Sequence, residues 1–485
     1  MNPTFRRPAL FLAVLAAAAC NADGSDPVAP NALPANVLAS DAVSRVELCH
    51  FSGSGAHPID VAAAALPAHL RHGDYITRLL VSPAAVPGDG VHFRLIGDAL
   101  AAARETRMAH EEQTAGACRI TIQVAEGTRS AAYGGSADPE VETLPLVVDV
   151  PDISLRGAYR PVIDGSGRAT DQGETGAVTI IAPVAGLTSA AQFSQPILMI
   201  NGRSDGFAAN RTVIEGFAFQ SGNPAGGGGG AAILALRVED LEVRHNRFEG
   251  GFSESVDLRA GSGSVRQNHL AGGGGTCDIC LAGPGRFHAE GNRLLAGGIP
   301  GILVVPAVLL PVPAGIEQYQ LPASSRVDAM LVNNEIRNHQ RVPVGTGLRV
   351  GAVGVGAPDV AGYSRVEARD NLIVNNRFGM LVEAAFPVAN TLRRGDIEVL
   401  LSGNSFVSSC QAHLLVSFSR HTTALGLSNA PYLLGSSYLV SLGGDLTWDQ
   451  AWFGHPAGFD NTLVVDGDTL PNGISHQYDA SKVCS

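Results

Sequence analysis

An asparagine recurs six times in one local setting between residues 243 and 406, and this recurrence restricts the chain to a stack of similar coils. The segments are VRHNRF (243–248), VRQNHL (265–270), AEGNRL (289–294), LVNNEI (331–336), ARDNLI (368–373) and LSGNSF (401–406). Each places an apolar residue three positions before the asparagine and another two positions after it. The asparagines are Asn246, Asn268, Asn292, Asn334, Asn371 and Asn404, spaced 22, 24, 42, 37 and 33 residues apart. The first two intervals fit one coil each. The longer ones fit either a coil with an insertion or two coils with one asparagine missing. Each coil must turn sharply between short strands, and asparagine tolerates the left-handed backbone better than most residues. Stacked asparagine amides also hydrogen-bond from coil to coil as a ladder. Their apolar neighbours alternate at period two and enter the interior. A single coil cannot bury its apolar side, whereas a stack can.

A second strand follows the first five of these asparagines: SVDLR (255–259), DICL (278–281), GILVV (301–305), GLRV (347–350) and GMLVE (379–383). Together the two motifs resemble the pectate-lyase-like family of right-handed parallel β-helices over roughly 118–420. That resemblance implies an all-β solenoid and says little about activity, because the fold hosts many. The rival is a leucine-rich repeat, since 241–248 matches half of that motif. Leucine is not dominant, however, glycine is abundant at 58 residues, and no helical stretch separates the repeats. An ordinary β-sandwich would not explain the asparagine register.

Residues 95–108 (LIGDALAAARETRM) carry Ile96, Ala99, Leu100, Ala103 and Met108 at helical spacing. A helix before the strand at 120–128 is expected to cap the open N-terminal end, where core and unpaired backbone would otherwise be exposed. Strands continue at 147–157 and 211–222, with Phe217 where later coils have asparagine. The Gly226–Gly230 run lacks the lysine and following helix of a phosphate loop. After 420 the repeat fades, and Trp448 and Trp452 are expected in a C-terminal cap.

The first 19 residues read as an export leader, with Arg6 and Arg7 ahead of the apolar run Leu10–Ala19. Ala17-Ala18-Ala19-Cys20 resembles the bacterial lipoprotein cleavage box, which implies a lipidated Cys20; the alternative is an ordinary cleaved leader. Asn21 to Ser44 has no periodicity and suits a flexible tether. The expected organisation is a leader (1–19), anchor and tether (20–46), a small Cys/His-containing segment (47–93), a β-helix with its capping helix (94–420) and a C-terminal cap (421–485). An exported chain favours disulfides. Six further cysteines allow 15 pairings, of which Cys49 with Cys118 and Cys410 with Cys484 would each pin a terminal segment to the solenoid. Cys277 and Cys280 read as half a metal site, a redox pair, or, if extended, one buried and one exposed thiol.

The formal net charge of −12, more negative still once Arg6 and Arg7 leave with the leader, disfavours nucleic acid and anionic lipid surfaces. Contact with a membrane is therefore expected only through the lipid anchor, and the solenoid is expected to be a monomer. Lysine occurs once, at Lys482, which excludes most lysine chemistry from the body.

Two groups of residues are candidates for chemistry. Residues 47–74, which resemble a short motif recurring in secreted bacterial proteins, hold His50, His57, His69, His72 and Asp74. Of these, His50, His69, His72 and Asp74 are the expected ligands for zinc or copper, with structural packing as the alternative. On the second strand, alternation sends Asp257, Arg259, Asp278, Arg349 and Glu383 outward. Asp257 and Asp278, 21 residues apart, are expected side by side and so able to bind calcium, with Arg259 as a base. Asp257, Arg259 and Asp278 are thus the catalytic candidates, and Arg349 and Glu383 the ligand-binding ones; the alternative is that all five are ordinary solvated residues of a β-face. Three functions fit: binding an extended polysaccharide along the flank, cleaving one as a lyase or hydrolase, and passive structure or adhesion. The absence of a dense carboxylate cluster favours binding.

Overall fold

The structure, a computed structural model, describes residues 45–470 apart from 54, 87, 111–117, 134, 171–177, 184–194, 203–208, 222–229, 273–274, 296–299, 308–323, 341–344, 352–360, 384, 389–390, 395, 408–411, 418–437, 444–450, 455–461 and 466–467. The expected anchor Cys20, the pair Cys410 and Cys484, and Trp448 lie outside these residues.

The chain winds as a right-handed parallel β-helix of three-sided coils, the hand that parallel strand crossovers adopt. A coil runs along a first face, bends onto a second, turns at the asparagine and crosses a third. Ile233–Arg244, Glu254–Arg266 and Cys277–Glu290 each span the first two faces without a break. The bend falls where Ala260 and Gly261 have φ of 61° and 101°. A Cβ on Gly261 would stand 2.0 Å from the Val238 carbonyl oxygen, so only glycine lets these coils approach.

Alternation builds the core as columns. On the third face Ile181, Phe219, Phe248, Leu270, Leu294, Ile336, Ile373 and Phe406 stack in register through eight coils. On the first face Ile233, Val256, Ile279, Ile302, Leu348 and Met380 do the same, all fully buried.

The asparagines form one continuous ladder at the corner between second and third faces. Nδ2 of Asn246, Asn268, Asn292, Asn334 and Asn371 each donates to Oδ1 of the next asparagine, at 2.8–3.2 Å. The longer sequence intervals are therefore single coils with insertions. Phe217 takes the rung before Asn246 and closes the ladder by donating its N–H to Asn246 Oδ1 at 3.1 Å. The left-handed residue is not the ladder asparagine but its predecessor: His245, Gln267, Gly291, Asn333, Asp370 and Gly403 have φ of 50–63°. The preceding residue turns the corner, leaving the asparagine free to point inward and hydrogen-bond.

The helix α2 (Ile96–Ala109) covers the N-terminal end with Ile96, Ala99, Leu100 and Ala103 buried, as expected of a cap. Its first two N–H groups donate to the Glu142 carboxylate at 2.6 and 3.1 Å. Ahead of it, a small antiparallel sheet is formed by β1 (Arg45–Ser52), β2 (Gly55–Ala62) and β3 (Tyr75–Ile76), with α1 (Leu66–Arg71) between the last two. Arg78–Val81 already pairs with the first coil, so the small module ends earlier than residue 93. Cys49 and Cys118 form the expected disulfide. Parallel pairing also continues past residue 420, through Tyr438–Gly443 to Thr462–Val465, before Asp468–Leu470 joins antiparallel.

Candidate functional site

Asp257, Arg259, Asp278, Arg349 and Glu383 all lie on first-face strands, but not as one exposed track. The coil here is 23 residues long: Glu254 pairs with Cys277, Val256 with Ile279 and Asp257 with Cys280. Asp278 is therefore level with Ser255, and the expected side-by-side carboxylates are not formed. Along the strands the row containing Asp257 continues through Cys280 and Leu303 to Arg349, three coils and about 14 Å away. Glu383 is level with Gly351, in the row that contains Arg259. Apolar residues and a cystine thus interrupt the polar positions.

This face is also buried on its outer side, against the expectation of solvent exposure. Leu234, Leu236 and Met199 form one buried apolar cluster there, and Cys277, Cys280, Ala282, Leu303 and Val305 another. Cys277 and Cys280 are joined to each other, with Cα atoms 5.8 Å apart, so neither is the exposed thiol that an extended strand would give.

Asp278 belongs to the corner between third and first faces. Its Oδ2 lies 2.8 Å from His339 Nε2, with both side chains buried. The main-chain N–H of His339 donates to Asn376 Oδ1 at 2.8 Å, and Asn376 Nδ2 donates to Ile336 O. These bonds orient the amide, so His339 Nδ1 also faces an oxygen, at 3.2 Å. The ring is a bridge between coils, and Asp278 is its structural partner.

Asp257 and Arg259 form a buried ion pair, with Nε and one terminal nitrogen 2.8 and 2.5 Å from Asp257 Oδ2. The other carboxylate oxygen, Oδ1, is buried and has no hydrogen-bond partner among the described residues. Glu254, at 5% exposure, stands at the start of the same strand. Burial, reinforced by the negative charge of Asp257, pushes its carboxyl up to about 7, against hydrogen bonds from Thr276 and Ser253. Alternation could not point to Glu254, because it shares the parity of the inward Val256 and Leu258. Only its place at the corner accommodates a carboxyl.

The small N-terminal module makes a second cluster. Antiparallel pairing sets His50 opposite His57. Nδ1 of His50 and Nδ1 of His69 lie 2.8 and 2.7 Å from the same oxygen, Asp74 Oδ2. Asp74 Oδ1 accepts the Phe51 N–H at 3.0 Å. Burial raises the Asp74 carboxyl, but the hydrogen bonds from His50, Phe51 and His69 outweigh it and hold the group below its ordinary value. The His57 ring stands edge-on to His50 at 5.4 Å between centroids. His72, expected in this group, is exposed and outside it. The helix stops at Arg71, and the chain turns there so that Asp74, not His72, folds back onto His69. The module packs on the cap: Tyr75 stacks on His110 at 4.9 Å and its hydroxyl accepts from Arg107.

No protein-family model matches the chain, and no curated protein matches its sequence. Among solved structures it is similar to a rhamnogalacturonan lyase at 13% identity, over 80% of this chain and 85% of that one, with a TM-score of 0.40. It is also similar to the A-module of a mannuronan C-5 epimerase from Azotobacter vinelandii, at 12% identity, 78% and 90% coverage and a TM-score of 0.36. A third is the DFA-IIIase of Arthrobacter chlorophenolicus A6, in complex with GF2, at 13% identity, 83% and 98% coverage and a TM-score of 0.36. The assignment of this chain to the parallel β-helix fold rests on its own strand register. Among the described residues no helix is long and apolar enough to cross a membrane.

Proposed function

We propose that this is an exported, lipid-anchored β-helix enzyme acting on an extended polysaccharide, with its chemistry at the Glu254 end of the first face. The observation that carries the reading is a buried carboxyl, Glu254, on the same strand as the buried Asp257–Arg259 ion pair. Burial and the neighbouring Asp257 push the Glu254 carboxyl up to about 7, while Asp257 pairs with Arg259 and keeps one oxygen with no hydrogen-bond partner among the described residues. A carboxyl raised in this way is suited to act as an acid, and a carboxylate ion-paired beside it as a charge stabiliser. In glycoside hydrolysis Glu254 would protonate the leaving oxygen, Asp257 would face the positive charge that develops on the sugar ring, and a water would add to the ring carbon and lose its proton to solvent. The polymer class is our reading of the long repeating flank. Because both carboxyls are buried, engagement requires the outer side of this face to open to the substrate.

Binding without cleavage is the second reading, favoured by the outer side of the second face. There Glu215 is bridged between Arg156 and Arg244 of adjacent coils, at 3.0 and 2.7 Å, and Arg266 and Glu290 continue the row. These side chains are more exposed than those of the first face and repeat at coil spacing.

The mature protein should be incubated with a panel of neutral and uronic-acid polysaccharides, with new reducing ends and unsaturated products measured. Glu254→Gln should lower the rate by about 10²–10⁴, the usual worth of a positioned proton donor, with circular dichroism unchanged. Unchanged turnover in the variant would overturn the assignment. Binding by the wild type with no product from any polymer would leave the second reading.

A further inference from the structure

The N-terminal module has too little core to stand alone. Its own buried apolar cluster is Val46, Leu48, Val61 and Leu66. Small exported modules of this size are held by cross-links or metals. One cross-link is present, Cys49–Cys118. A second fastening point lies beside it, where β1, α1 and the turn before β3 converge on one buried carboxylate oxygen.

We propose that His50, His69 and Asp74 bind a divalent transition ion of the zinc class, which clamps the module onto the cap of the solenoid. The donor atoms of these three side chains all lie within 4.8 Å of one another. Two imidazoles and one carboxylate suit zinc and its neighbours in the first transition row, whereas calcium and magnesium require mostly oxygen donors. Zinc holds nitrogen and oxygen donors at about 2.0–2.2 Å, so tetrahedral donors stand about 3.3 Å apart. The two nitrogen–oxygen separations of 2.8 and 2.7 Å would widen by about half an ångström, and the two histidine donors, within 4.8 Å of each other, would settle to the same spacing.

Ring positions agree with this. Two imidazoles sharing one tetrahedral zinc have centroids about 5.3 Å apart, given nitrogen ligands at about 2.1 Å. His50 and His69 stand at 5.6 Å with planes 81° apart. The Phe51 N–H holds the other carboxylate oxygen, the kind of outer support that keeps a ligating carboxylate aimed. The two rings are 31% and 27% exposed, so a proton displaced from Nδ1 can be replaced from water at Nε2. The metal thus takes the place of two hydrogen bonds without leaving a buried donor unpartnered.

The test uses the full mature chain after exhaustive chelator dialysis, titrated with zinc chloride alone in a calorimeter and checked by elemental analysis. We expect one zinc per chain, a rise in melting temperature, and no competition from excess calcium. His69→Gln and Asp74→Asn should each weaken binding at least tenfold, and the exposed His72→Ala should leave it unchanged. Cobalt addition to the wild type supplies a readout free of variant misfolding: a visible ligand-field spectrum that zinc abolishes. Absence of stoichiometric zinc, equal affinity for calcium, or full binding by a folded His69→Gln protein would each overturn the proposal.

Discussion

Asn292 is the rung at which the ladder can be broken with most consequence. Its Nδ2 donates to Val265 O at 2.7 Å and to Asn334 Oδ1 at 2.9 Å. Its Oδ1 accepts from the Asn268 N–H and from Asn268 Nδ2, both at 3.0 Å. The side chain is fully buried. Asn292→Ala removes all four bonds. Asn268 Nδ2 keeps Val243 O, and Asn334 Oδ1 keeps the Asn292 N–H, but the Asn268 N–H loses its acceptor. With about 1–3 kcal/mol for one buried unsatisfied group, plus the vacated amide volume, the expected loss is about 2–4 kcal/mol. Asn292→Asp tests the direction of the ladder. It preserves shape but turns an oxygen toward two acceptors, so near pH 7 it should cost at least as much as alanine. Its carboxyl would be forced above the ordinary range. A folded-state pKa above the unfolded value makes the deficit shrink as pH falls toward 4, where the protonated acid can donate again. Urea unfolding followed by circular dichroism measures both variants, and amide exchange at Asn268 reports the local break independently of cooperativity. A loss under about 0.5 kcal/mol at unchanged m-value, or equal stability of Asn and Asp at pH 7, would refute the ladder as a structural element.

Other perturbations have equally definite outcomes. Because Glu254 is raised from 4.5 to about 7, the folded state holds a proton that the unfolded state releases. Stability should therefore fall as pH rises from about 4.5 to 7, by at most about 3 kcal/mol, and Glu254→Gln should flatten that slope in melting curves. A slope unchanged in the variant would assign it to other groups. Replacing Cys49 and Cys118 by serine opens a cross-link spanning 69 residues and should cost about 2–4 kcal/mol in thermal unfolding. An unchanged melting temperature would mean that the packing of Tyr75, His110 and Arg107 holds the module unaided. Cys20→Ala should move the protein from the membrane to the soluble fraction of an exporting cell; continued membrane association would point to another anchor.

Much of the scaffold was legible because its causes are local. Period-two alternation around Asn246, Asn268, Asn292, Asn334, Asn371 and Asn404 identifies coils, since an inward amide flanked by apolar residues has few other uses. Helical spacing at 96–103 locates the cap, and Phe217 marks where the ladder ends. In the histidine segment, three of the four singled-out residues, His50, His69 and Asp74, do come together, and His72 does not. What lay beyond the sequence was every fact that depends on alignment between coils or on what packs outside a strand. Alternation within one strand is blind to coil length, so a 21-residue interval seemed to stack Asp257 on Asp278. The true offset is 23 and puts Asp257 on Cys280. Parity distinguishes two sides of a strand but cannot say whether the outer side meets water, and on the first face it does not. His339 reaches Asp278 from 61 residues away, and Asp74 rather than His72 meets His50 because the helix stops at Arg71. Residue type and periodicity are properties of a single stretch of chain, whereas partners, burial and protonation arise only when distant stretches are brought together.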